Sequence, residues 1–109
     1  MVRPANIFFK VLTGEGRSLE EDCLQFSLPR GVKVGEWHSF QSELGCMLYK
    51  NPLPFYKHGF QIYVAQFDAA DITTSYQEII WVKRFRLVRQ ATNLDLKPYG
   101  IYRAIAQVI

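Results

Sequence analysis

FQIYVAQF, residues 60–67, is the stretch on which the fold turns. It is rich in β-branched and aromatic residues, which suit a pleated, half-buried surface. Alternate side chains of a strand point to opposite faces. Phe60, Ile62 and Val64 then share one face, and Tyr63, Ala65 and Phe67 share the other. Both faces are largely apolar, so this strand belongs in the interior of a sheet, covered on both sides.

Working outward, DAADITTSYQE (68–78) reads as a connection that opens with a helical turn at Asp68. A second long strand is expected from Ile79 to Arg89, antiparallel to the first. Upstream, NPLPFYKHG offers Asn51 as an N-cap, Pro52 at the first helical position and Gly59 as terminator. That predicts a short helix or helical turn over 52–58. GCMLYK (45–50) is apolar enough to be buried, with its conformation open. EWHSF (36–40) is expected to be a short strand with Trp37 buried, reached by an extended loop, SLPRGVKVGE (27–36).

At the N-terminal end NIFFKVL (6–12) reads as a strand, stopped by the glycines of TGEGR. SLEE (18–21) has capping-box spacing with a weak apolar follow-up, which fits a single helical turn or an irregular loop as well as it fits a helix. At the other end, Ile101, Ile105 and Val108 lie on one helical face. Helix is the expectation for 98–109, with a strand as the alternative. The sum is one domain over 1–109 of α+β class, a small antiparallel β-sheet with one or two short helices.

Composition agrees. Apolar residues make up 49% and charged residues 21% of the 109, and eight Phe and six Tyr exclude a disordered chain. The longest apolar runs, such as CMLY and IIWV, are four residues, far short of a membrane span. The first residues carry no pattern of a secretory signal. A cytoplasmic protein with no membrane association is expected, with Cys23 and Cys46 as reduced thiols.

The net charge is +3, and its distribution is uneven. Residues 81–109 hold Lys83, Arg84, Arg86, Arg89, Lys97 and Arg103 against Asp95 alone, leaving +5 there and −2 over the rest. Such asymmetry points to an anionic partner. Within WVKRFRLVRQ (81–90), strand alternation puts Arg84 and Arg86 on one face with Val82 and Val88. Trp81, Lys83, Phe85, Leu87 and Arg89 fall on the other. A nucleic-acid platform needs exposed aromatic rings beside phosphate-binding cations. Phe85 and Leu87 are expected in the core, with Arg84 and Arg86 outside as solvated charges.

Other constellations are thin. His38, His58, Cys23 and Cys46 lack metal-ligand spacing, so no metal and no cofactor are expected. GEG at 14–16 lacks the rest of a dinucleotide fingerprint and reads as a hairpin turn. Cys46 with His38 or His58 would need an activating environment, whereas GCMLY suggests an inert core thiol. Arg17, then Thr73, Thr74 and Ser75, then Glu78 follow the order of the ADP-ribosyltransferase triad, although Glu78 comes too soon after the Ser/Thr group.

FKVLTGEGRS, the pair Leu28–Pro29, GEW at 35–37, FQIYVAQF and VKRFRLVRQ together resemble a small family of unknown function found in bacteria and phages, sometimes beside pentapeptide repeats. The resemblance spans about residues 7–90 and leaves 91–109 as an extension. Where that family has Gly-Leu-His after its Cys, this chain has Met47, Leu48 and Tyr49 after Cys46, so a function resting on that His does not carry over. The resemblance implies a mobile-element or phage accessory protein and no activity.

The functional expectation is a non-enzymatic binding module acting on a protein partner or by self-association as a homo-oligomer. Two alternatives stand beside it. One is nucleic-acid binding through Lys83, Arg84, Arg86 and Arg89. The other is an ADP-ribosyltransferase-like enzyme.

Overall fold

In the computed structural model, residues 7–18 and 24–101 are described. The strands are β1 (Phe8–Leu12), β2 (Arg17–Ser18), β3 (Leu24–Gln25), β4 (His38–Ser39), β5 (Cys46–Tyr49), β6 (Gln61–Gln66), β7 (Ile72–Tyr76), β8 (Ile79–Val82) and β9 (Arg84–Gln90). One short helix, α1 (Asn93–Leu96), follows them. Seven strands form one sheet in the order β4-β9-β6-β1-β5-β8-β7, and β2 and β3 form a separate pair. Every strand pairing is antiparallel. The fold is thus mostly antiparallel β with little helix.

FQIYVAQF forms β6, flanked by β1 on one side and β9 on the other. Its alternation holds. Tyr63 and Ala65 join a cluster with Leu12, Cys46, Leu48, Ile80, Val82, Phe85 and Leu87. Ile62 and Val64 join a second cluster with Phe9, Val11, Tyr49, Ala91, Leu96 and Ile101.

The expected single strand 79–89 is instead two strands. β9 does lie antiparallel to β6, but β8 pairs with β5 and β7. Only Lys83 separates them, yet three strands stand between β8 and β9 in the sheet order. In a flat sheet they would be about 19 Å apart at ordinary strand spacing. Chain continuity therefore requires the sheet to curl until its two sides meet at Lys83. The first cluster is the inside of this curl. The second lies on the outer face of β1 and β6, beneath α1 and Ile101.

The bend is written in the inward residues. Ile80, Val82, Phe85 and Leu87 share the inner cluster, so the alternation slips by one residue at Lys83. Val82 consequently does not share a face with Arg84, as unbroken alternation required. Backbone bonds seal the bend: Lys83 N–H donates to Asp71 O (2.9 Å), and Phe40 N–H donates to Lys83 O (2.9 Å).

Other expectations are corrected locally. Residues 72–76 are not a connection but β7, although a single 3-10 turn (Ala69–Asp71) does follow Asp68. The helix expected over 52–58 is one 3-10 turn, Leu53–Phe55, with Pro52 before it and Asn51 Oδ1 accepting the Leu53 N–H at 3.0 Å. Gly59, at φ +91, serves the next turn, into β6. GCMLYK supplies β5. Gly16 N–H donates to Thr13 O (2.9 Å), so the GEG segment is indeed a turn. Ser18 is a strand residue of β2, and the rest of SLEE lies outside the described residues.

At the C-terminal end, Thr92 and Asp95 form a reciprocal capping box that starts α1. Lys97–Tyr99 continues as a 3-10 turn and Gly100, at φ +74, ends it. Residues 98–101 are therefore not α-helical, and 102–109 lie outside the described residues. Lys10 shows a feature that no sequence pattern announces: it is fully buried, with its ammonium donating to Met47 O at 2.9 Å.

Candidate functional site

Phe85 and Leu87 point inward and are fully buried, as expected. Arg84 and Arg86 therefore stand on the outer face of β9. β4 pairs alongside, His38 with Phe85 and Ser39 with Arg84, which brings Trp37 over that face. The sequence reading places Trp37 in the core, but it is 38% exposed. The Arg84 guanidinium lies 4.3 Å and the Arg86 guanidinium 4.8 Å from the Trp37 ring centroid. Arginine stacks on aromatic faces while keeping its planar fork of donors available.

The loop before Trp37 is held tightly. Gly35 N–H donates to Leu87 O at 2.7 Å. A Cβ on Gly35 would sit 2.5 Å from Ser27 O and 3.0 Å from Leu87 O, so only glycine lets the loop approach β9 this closely. Ser27 Oγ accepts the Glu36 N–H (3.1 Å), and His38 Nε2 accepts the Ser27 N–H (3.0 Å). The His38 ring also meets Phe26 edge-on, with centroids 4.8 Å apart. Burial lowers the His38 pKa from the ordinary imidazole value, against a smaller opposing effect from Glu36. The neutral ring is the form that can accept this bond.

The four basic residues singled out in the sequence divide. Arg84 and Arg86 act together around Trp37. Arg84 has Asp71 at 3.7 Å, an exposed and weak pair, and Arg86 Nε donates to Gln66 Oε1 at 2.7 Å. Lys83, at the bend, donates to Ser42 O at 2.7 Å. Arg89 is turned away from the buried face by a bulge. Val64 pairs with Arg89 and Ala65 with Leu87, so Val88 is the extra residue. Arg89 then grips Asp95 with two bonds of 2.6 and 3.2 Å. The Arg89 hydrogen bond is the main cause holding the Asp95 carboxyl below its ordinary range.

Beside Arg86 an open apolar groove of about 490 Å³ is lined by Phe8, Ala65, Gln66, Phe67, Ala69 and Ile72. Gln66 lines the groove and holds Arg86, and Asp71 adjoins Ile72 and faces Arg84. The stacked ring, its two cations and the groove are thus neighbours. The cations are visible in the sequence, but the ring and the groove are not, because their residues are far apart in the chain.

The remaining candidates lie elsewhere. Cys46 is a buried thiol on β5. Cys23 is outside the described residues. His58 is exposed in the loop before β6. No group of three or more His, Cys, Asp or Glu that could hold a metal occurs among the described residues. Arg17 is on β2, Thr73–Ser75 on β7 and Glu78 in the β7–β8 turn. Thr73 Oγ1 is engaged with Leu44 O at 2.6 Å. Glu78 lines a cavity that does not include Arg17. No helix among the described residues is long and apolar enough to cross a membrane. Comparison with protein-family models, curated proteins and solved structures found no match for this chain.

Proposed function

We propose that the chain is a non-enzymatic binding module that holds single-stranded nucleic acid on the outer face of β9. One observation carries this reading: two guanidinium groups are gathered on a single half-exposed indole, Trp37. Like charges repel, and among the described residues only Asp71, at 3.7 Å from Arg84, partly offsets them by pairing. An approaching phosphate would relieve that repulsion and take the bidentate donors of either arginine. An aromatic face beside cations is what single-strand binders use, with bases on the rings and phosphates on the charges. The adjoining groove, walled by Phe8 and Phe67, offers a second apolar surface for a base. Lys83, Arg84 and Arg86, cations at and just after the bend, would draw the polyanion to this side. A place among bacterial and phage accessory proteins, suggested by the resemblance, is compatible with such a role.

Fluorescence anisotropy with labelled single-stranded DNA and RNA oligomers, at 50 and 200 mM salt, tests the proposal. Binding should weaken with salt, fall in Arg84→Ala and Arg86→Ala, and fall in Trp37→Ala. Salt-independent signals, or full binding in the double arginine variant, would remove it.

A second reading, self-association, is favoured by β7. This strand pairs with β8 and leaves Thr73, Thr74, Ser75 and Tyr76 exposed, Tyr76 at 65%. An exposed sheet edge is a template for pairing with another copy. Size-exclusion chromatography with light scattering decides it: a dimer dispersed by Thr74→Pro supports the reading, and a monomer at all concentrations ends it.

A further inference from the structure

A second cavity, of about 420 Å³, shares no lining residue with the groove beside Arg86. Its walls are Tyr49, Phe55, Pro54 and Ile79, and its polar groups come from Asn51, Gln77 and Glu78. Tyr49 is buried at its floor and stacks on Phe55, with ring centroids 4.1 Å apart at 18°. Gln77 and Glu78 are exposed at its rim. Lys50 N–H donates to Glu78 O at 2.9 Å, which pins the β7–β8 turn over the cavity.

Two features of the turn point to a ligand. The carboxylate of Glu78 has no ion-pair partner among the described residues, beside walls that are mostly apolar. Its charge acts on Tyr99, whose hydroxyl is held above its ordinary pKa by burial first and by Glu78 second. Gln77 has φ +56, the only non-glycine residue with positive φ among those described. A two-residue hairpin with positive φ at its first position is where glycine is relaxed. A side chain kept in such a conformation is a mark of functional sites.

We propose that this cavity binds a small organic ammonium ion with an apolar or aromatic body. The ammonium would sit against Glu78 and the carboxamide oxygen of Gln77, and the body would lie on Tyr49, Phe55 and Ile79. Aromatic rings favour cations over neutral groups of the same shape. The site is independent of the nucleic-acid reading and stands or falls without it.

The test is an NMR titration of the full ¹⁵N-labelled chain with 2-phenylethylammonium and, in parallel, neutral 2-phenylethanol. Saturable shifts at residues 49–55 and 77–79, with the ammonium about tenfold tighter than the alcohol, are expected. Glu78→Gln should erase that preference. Gln77→Gly relieves the left-handed position, so it should keep the folded spectrum while weakening the ammonium. This second variant decides the matter if Glu78→Gln does not fold. Equal affinities for the two probes, no saturable shift at these residues, or an unchanged preference in a folded variant would overturn the proposal.

Discussion

Gly45 is packed against the carbonyl of Val82 so closely that a Cβ would fall 2.1 Å from that oxygen. Gly45 also has φ +90. The contact lies next to the bend at Lys83, where the curled sheet closes. Gly59 has nearly the same φ, +91, but open space around it. The two glycines therefore separate backbone strain from steric exclusion. Gly59→Ala should cost about 1 kcal/mol, the strain of a left-handed alanine alone. Gly45→Ala should cost about 3 kcal/mol or more, or prevent folding, because backbone must move as well. Urea unfolding of both variants checks this, and equal losses would contradict the closure seen here.

The division of the basic residues predicts a division of effects. Arg84 and Arg86 should carry binding of single-stranded oligomers, whereas Arg89 is committed to Asp95. Two neutralised phosphates on a single strand correspond to a slope of about −1.4 in log K against log salt. Arg84→Ala with Arg86→Ala should flatten that slope to near zero. Arg89→Ala should leave it nearly intact and lower the thermal midpoint instead. Anisotropy at several salt concentrations, with thermal melts of the same variants, distinguishes the two roles.

The Trp37 loop should be sensitive to acid through His38. The folded chain disfavours protonation of this imidazole, which accepts the Ser27 N–H. The unfolded chain then binds the proton more readily, so stability rises with pH across this titration. The contribution is complete above about pH 6.5 and is lost as pH falls from there through the lowered folded value. Urea midpoints at pH 7.5 and pH 5 should fall further for the native chain than for His38→Gln, which cannot titrate. Parallel falls would show that His38 does not matter.

What the sequence made legible follows from where the information lay. β6 was readable because its two apolar faces repeat with period two, and both are buried. β7 was not, because Thr73, Thr74 and Ser75 are exposed, and the strand exists through its pairing with β8. The bend at Lys83 was present in the sequence as a slip in spacing, from Ile80 and Val82 to Phe85 and Leu87. Unbroken alternation hid it. The candidate site was half legible. Arg84 and Arg86 announced themselves by charge, but Trp37 reaches them only through the β4–β9 pairing, which no local pattern encodes.

The cap of α1 is a reciprocal pair. Thr92 Oγ1 accepts the Asp95 N–H at 3.2 Å, and Asp95 Oδ2 accepts the Thr92 N–H at 2.8 Å. This box sets the short helix that brings Leu96 onto the Phe9 and Val11 face. Thr92→Ala should cost about 1 kcal/mol, a fall of about 4–8 °C in Tm. Asp95→Asn should cost more, because it also leaves Arg89 without its charged partner. The Asp95 carboxyl is held below its ordinary range, so its stabilisation is present above the unfolded value and is lost as pH falls through the folded one. The gap between the melting curves of the native chain and Asp95→Asn should therefore hold as pH falls towards 3.8 and narrow only below it. A gap that stays constant below that pH as well would mean that the hydrogen-bond geometry, and not the charge, holds the cap.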